Sequence, residues 1–124
     1  MNKTKKPSVL VTGSSSMIGV EVVKLLQPKY NIIYGLYPDE SERIDLTSIS
    51  DIDDLFVCNN ISYIIHLATH SGNIQFNTKY PADTYSNTSL MGLNIFNYAQ
   101  KYKVNKILSV LSSCAYPTIV EEEL

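Results

Sequence analysis

Gly13, Ser16 and Gly19 stand three residues apart in the stretch VTGSSSMIG, a spacing that can cradle a dinucleotide pyrophosphate. In such a loop the first glycine permits a tight turn and the second lets backbone approach the phosphates. The third allows a helix to pack closely on the preceding strand. Ser16 fills the second position, where a β-carbon takes up room but a hydroxyl can donate to a phosphate oxygen. The context suits this chemistry. An apolar run, Ser8 to Thr12, precedes the loop, and helical spacing begins at Met17. A helix starting there aims N–H groups and a partial positive charge at an anion. The same order of strand, glycine, serine and helix also makes an ordinary connection with no ligand.

Other residues with reactive side chains divide by context. Asp39 and Glu40 follow the second apolar run, where an acid holds a ribose 2′-hydroxyl and favours NAD. Arg43, in the same loop, could instead meet the 2′-phosphate of NADP. His66 and His70 share an HxxxH spacing, but on a strand end and a loop rather than a helix, so no metal site is expected. Cys58 and Cys114 have neither metal-type nor redox-type spacing. Cys58, closing a helix, is expected to pack in the core.

The elements that must position these residues alternate along the chain. Ser8 to Thr12, Asn31 to Tyr37, Ile61 to Ala68 and Asn105 to Leu111 read as strands. Arg43 to Leu46 is a brief extended piece. Between the strands, Met17 to Leu26 carries Ile18, Val22, Leu25 and Leu26 at helical spacing, with Pro28 as its stop. Ser48 or Ser50 can cap a short helix bearing Ile52, Leu55 and Phe56. Gly72 to Tyr80 reads as a loop. Ala82 to Tyr102 reads as a long helix with Leu90, Leu93, Ile95, Phe96 and Ala99 available to face inward. Strands apolar on both faces, alternating with helices, make an α/β fold: a parallel sheet flanked by helices and joined by right-handed crossovers. Such a sheet, ending at its last strand, would lack a covering helix, so the domain is expected to be the incomplete front part of something longer.

Bulk properties narrow the classes further. A chain of 124 residues suffices for one small domain with its own core. Its net charge is −2, and no basic stripe appears beyond Lys3, Lys5 and Lys6 at the start, so no nucleic-acid partner is expected. No apolar run reaches the roughly 20 residues that span a bilayer, and the start has no signal-peptide core. A cytoplasmic protein without membrane contact is the expectation.

These pieces resemble the extended short-chain dehydrogenases/reductases, the NAD-dependent epimerase/dehydratase family. Thr12-Gly13-x-x-Ser16-x-x-Gly19 is similar to their TGxxGxxG loop, with a departure at Ser16. Asp45-Leu46 resembles the Asp-Leu pair they place near the adenine, and His66-Leu67-Ala68-Thr69 their HLAA strand end. Asn87 with Leu93-Asn94-Ile95 looks like their long-helix signature. The resemblance is nearest to the GDP-L-fucose synthase branch. It is carried by Asn77 to Asp83, Val104 to Leu108 and, most specifically, Leu111-Ser112-Ser113-Cys114-Ala115-Tyr116-Pro117.

The resemblance implies a Rossmann-like fold and an NADP (NADPH) cofactor, with NAD the alternative. It implies cofactor contacts from Gly13, Ser14, Ser15, Ser16, Met17, Ile18, Gly19, Asp45, Leu46, Ala68 and Leu111. Ser112 would bind the carbonyl of a nucleotide-sugar substrate, and Cys114 would act as acid/base in epimerisation. In their bland reading, Ser112 and Ser113 end a strand and Cys114 packs as a small apolar residue. The family's Tyr-x-x-x-Lys pair follows the Ser-Ser-Cys strand. Tyr102 and Lys106 have that spacing but straddle a helix end and a strand start, so they need not share a face. Gly72-Asn73 departs from the family's usual Gly-Gly.

On this reading residues 1–124 are one NAD(P)-binding domain. It is the N-terminal part of a GDP-4-keto-6-deoxymannose epimerase/reductase, a possible homodimer at full length and lacking its C-terminal substrate domain. A non-catalytic nucleotide-binding or regulatory module is the alternative in another class. Another NAD(P)-dependent nucleotide-sugar epimerase or dehydratase is the related one.

Overall fold

The computed structural model describes residues 6–35 and 44–116, the side chain of Cys114 excepted. Four parallel strands form one sheet in the order β2-β1-β3-β4: β1 Ser8–Thr12, β2 Asn31–Tyr34, β3 Tyr63–His66 and β4 Lys106–Ser109. Central β1 is buried along its whole length, as a strand covered on both faces must be. The chain passes from β1 outward to β2, then returns across β1 to β3. That reversal opens a crevice at the carboxyl ends of β1 and β3.

Side-chain alternation sorts the sheet residues into two faces. On one, Ile33 pairs with Leu10, Leu10 with Ile64 and Ile64 with Ile107, giving an apolar row across all four strands. Helices α2 (Ile49–Cys58) and α4 (Pro81–Lys101) cover this row with Ile52, Leu55, Phe56, Ile95 and Ala99. Phe56 is 2% exposed, and the rings of Tyr98 and Tyr102 lie 5.5 and 5.4 Å from it. Helix α1 (Met17–Leu26) serves the opposite face, where Leu26 shares a groove with Val9, Tyr63, Ile65 and Leu108. Cover there is partial: Leu108 and Val110 are about half exposed. No described helix is long and apolar enough to cross a membrane.

Several sequence expectations need correction. The Gly72–Tyr80 loop contains a short helix, α3 (Ile74–Lys79), because the Asn73 carboxamide oxygen accepts the Phe76 N–H at 2.9 Å and caps it. Ile44 and Asp45 are not a strand. Asp45 Oδ1 instead accepts from Thr47 N–H (2.8 Å) and Thr47 Oγ1 (2.7 Å), making a turn that leads into Ser48, the α2 cap. Strand β2 stops at Tyr34, and β3 and β4 are shorter than their apolar runs. On α4, Leu90, Leu93 and Phe96 are exposed while Ile95 and Ala99 are buried, so one narrow stripe faces the sheet. Ile18 and Leu25 of α1 are exposed, as is Cys58. Leu36 to Arg43, with Asp39 and Glu40, lie outside the described residues, as does Pro117.

Helix α4 ends through a Schellman motif: Val104 N–H donates to the Ala99 carbonyl (2.9 Å) and Lys103 N–H to that of Gln100 (3.2 Å). Lys103 therefore sits at φ 54°, a left-handed conformation better suited to glycine. Lys103→Gly is expected to raise unfolding stability by up to about 1 kcal/mol in urea melts. In the same assay Phe56→Ala should cost about 3–5 kcal/mol. Leu25→Ala, at a 76% exposed position, should change it by less than about 0.5 kcal/mol.

Candidate functional site

Where β1 leaves the sheet, three backbone segments approach too closely for side chains. Gly13 turns at φ 67°, and a β-carbon there would lie 2.9 Å from the Ala68 nitrogen. A β-carbon on Gly19 would fall on the Gly13 carbonyl oxygen and 2.7 Å from Ser14 Cα. Gly35, after β2, passes the Thr12 backbone at 2.9 Å by the same measure. Gly13 and Gly19 thus perform the turn and the close helix packing expected of the loop's first and third glycines.

Ser16 is the N-cap of α1. Its Oγ accepts the Gly19 N–H at 3.0 Å, and its own N–H donates to the Gly13 carbonyl at 3.0 Å. Its backbone, φ −70° and ψ 163°, is one any residue adopts, so the β-carbon is housed without strain. As the first residues of the helix, Met17 and Ile18 have N–H groups with no intrahelical acceptor.

Around this loop lies a cleft of about 670 Å³, lined by Gly13, Ser15 and Ser16 on one wall and by Asp45, Leu46 and Ala68 on others. A second, of about 410 Å³, continues past Ser16, Met17 and Ile18 to Leu111 and Ser112. The two share Ser16, Leu67 and Thr69. Of the residues expected from sequence, Ser14 and Gly19 line neither cleft. Ser14 is buried beneath the loop, and Gly19 supports it from the helix. Cys114 belongs to a single 3-10 turn, Ser113–Ala115, after β4.

Supporting residues hold the walls. The Asp45 N–H donates to Asp51 Oδ2 (3.0 Å), and Ser48 Oγ donates to Asp51 Oδ1 (2.8 Å). These bonds, the backbone one first, hold the Asp51 carboxyl below its usual pKa. Buried Asn94 of α4 donates to the Leu46 carbonyl at 3.0 Å. Thr12 Oγ1 contacts His66 Nδ1 at 2.7 Å and accepts the N–H groups of Leu67 (3.1 Å) and Ala68 (3.2 Å).

Sequence reasoning missed Gly35, Thr69, Ser71 and Met91 as parts of these walls, and Thr12 as a support behind them. Gly35, inside an apolar run, was the one available signal. His66 and His70 have different surroundings: the first meets Thr12 and the second edges the Phe76 ring at 6.1 Å. Tyr102 packs against Phe56 at the end of α4, while Lys106 opens β4 on the surface, so the two form no catalytic pair.

The model of the NAD dependent epimerase/dehydratase family matches residues 9–123. GDP-L-fucose synthase 1 of Arabidopsis thaliana is 27% identical over 122 residues, covering 97% of this chain and 36% of the relative. GDP-L-fucose synthase of Escherichia coli is 26% identical over 119 residues, covering 96% and 36%. A crystal structure of a GDP-L-fucose synthetase from Naegleria fowleri bound to NADP is similar with a TM-score of 0.71 at 26% identity, covering 98% of this chain and 35% of that one. The chain spans about a third of the length of the relatives it matches.

The close contacts make a direct expectation. Gly19→Ala should lower stability by about 1–3 kcal/mol, since only backbone can yield around it. Ser16→Ala should cost about 1 kcal/mol through the lost cap, and Ser16→Gly a few tenths. Thermal melts of the three variants measure both.

Proposed function

Because the chain belongs to the NAD dependent epimerase/dehydratase family, we propose that it forms the NADP-binding part of an epimerase/reductase for a nucleotide sugar. The substrate in this reading is GDP-4-keto-6-deoxymannose, as in the GDP-L-fucose synthase branch. One observation carries the reading: two adjoining clefts run along the carboxyl ends of the parallel strands, from Asp45 past the α1 N-terminus to Ser112. A dinucleotide has that elongated form, with an anionic centre suited to a helix start.

In this proposal Asp45, Leu46 and Ala68 hold the adenosine end. The Met17 and Ile18 N–H groups, with the Ser15 and Ser16 hydroxyls, take the pyrophosphate, and Gly13, Ser14 and Gly19 shape the loop beneath it. Leu111 borders the nicotinamide end. The bound cofactor supplies hydride. The Ser112 hydroxyl donates to the sugar carbonyl oxygen, and the Cys114 thiolate removes and returns a proton on the adjacent carbon. The Tyr-x-x-x-Lys pair of a reductase comes, in this reading, from outside residues 1–124.

Calorimetric titration of the chain with NADPH and NADH tests the cofactor role. Saturable binding below millimolar, tighter for NADPH, is expected. Since the Ser16 hydroxyl accepts from Gly19, its proton remains to be donated to a phosphate oxygen. Ser16→Ala should therefore weaken NADPH binding several-fold, and Ser16→Gly should not tighten it. Absence of saturable binding of either nucleotide below millimolar would overturn the proposal.

A further inference from the structure

One step past the apolar row, the sheet carries a polar row on the same face: Thr12 pairs with His66 and His66 with Ser109. Thr12 is fully buried and His66 is 7% exposed. A hydroxyl has two lone pairs and one proton. The N–H groups of Leu67 and Ala68 point at Thr12 Oγ1 and take the lone pairs, the Leu67 N–H being shared with the Thr12 carbonyl oxygen at 3.3 Å. The hydroxyl proton is left for His66 Nδ1, 2.7 Å away. His66 Nδ1 must then be a bare acceptor, and the neutral ring carries its proton on Nε2. The Thr12 methyl meanwhile lies over Gly35, where a β-carbon would be 3.3 Å from Cγ2. One side chain thus ties the ends of three strands, and Leu67 and Ala68 are cleft wall.

We propose that Thr12 and His66 form a latch that positions the Leu67–Ala68 wall of the cleft and closes only with the imidazole neutral in its Nε2–H form. Both are positioning residues, acting on a ligand through the backbone they hold. A proton added to Nδ1 would point at a hydroxyl whose lone pairs are already used, so the ring can be protonated only if one wall N–H gives up its bond.

The groups facing the ring do not titrate near neutrality: Thr12 on β1, Ser109 on β4, and Gly92 on α4, whose β-carbon would be 4.0 Å from Nε2. Burial pushes the His66 pKa below its ordinary 6.5, with no charged neighbour contributing. The folded state therefore binds fewer protons than the unfolded one between its lowered pKa and 6.5. The stability from neutral His66 is full above about pH 6.5 and is lost as pH falls toward the folded pKa.

The latch can be tested without a ligand; its effect on nucleotide affinity rests on the cofactor reading above. Long-range ¹H–¹⁵N NMR of the chain should show His66 as the Nε2–H tautomer with a pKa below 6.5, and the Leu67 and Ala68 amide shifts should move with that titration. An Nδ1–H tautomer, a pKa at or above 6.5, or wall amides indifferent to His66 overturns the proposal. These readouts need only the wild-type chain. His66→Asn keeps an acceptor oxygen near Nδ1 but cannot be protonated, and Thr12→Ser keeps the hydroxyl where Thr12→Val does not.

Across the His66 titration located by that NMR experiment, wild-type NADPH affinity should fall at least threefold more than that of His66→Asn. Thr12→Ser should follow wild type, and Thr12→Val, where folded, should bind several-fold more weakly at pH 7.5. Parallel pH profiles for wild type and His66→Asn would overturn the latch. If wild type binds no NADPH, the cofactor reading falls, and the tautomer and amide shifts still decide the latch.

Discussion

The site is organised by a shortage of space at the carboxyl end of β1. Gly13, Gly19 and the Leu67–Ala68 peptide meet there with no room for a β-carbon on either glycine. Backbone contact this close fixes the direction in which the chain leaves the sheet, and hence where α1 begins. The position of α1 sets the edge shared by the two clefts, since Ser16 lines both. The reversal of strand order around β1 supplies the crevice, and the glycines bring a helix start to its rim.

Hydrogen bonds then hold what packing has brought together. Ser16 replaces a flexible glycine with a capping hydroxyl that uses the Gly19 N–H and leaves those of Met17 and Ile18 directed outward. On the far wall, Asp51 and Asn94 fix Asp45 and Leu46 from two different helices. A buried amide such as Asn94 is held by its partner because leaving that partner unmet costs about 1–3 kcal/mol. That far wall is therefore positioned by groups that touch no part of the cleft.

Much of this was legible in the sequence, for identifiable reasons. Apolar runs marked each strand because a parallel sheet buries both faces, and Gly13 and Gly19 announced the turn because no other residue fits there. The ends of β3 and β4 were misjudged, since the carboxyl-terminal residues of those runs, such as Leu67, Ala68 and Leu111, line the clefts instead of joining the ladder. The helix at Ile74–Lys79 was hidden because its cap, Asn73, sat in a stretch with turn-like composition. Inward-facing residues of α4 were over-counted, as Leu93 and Phe96 show: helical period identifies a stripe but not its width. The Thr12–His66 contact joins residues 54 positions apart, and no local pattern encodes such a pair.

The uneven cover of the sheet gives its strands different lifetimes. β1 is paired on both sides and buried throughout, so its amides exchange with solvent only when the whole domain opens. Among the described residues β4 lies at the sheet edge with Leu108 about half in water, and less apolar contact opposes its separation from β3. Local fraying of β4 reaches solvent without disturbing β1. The same strand leads into Leu111 and Ser112, so the two ends of the cleft differ in rigidity. Among the described strands, the Gly13 end is set by the central one, buried throughout, and the Ser112 end by an edge strand.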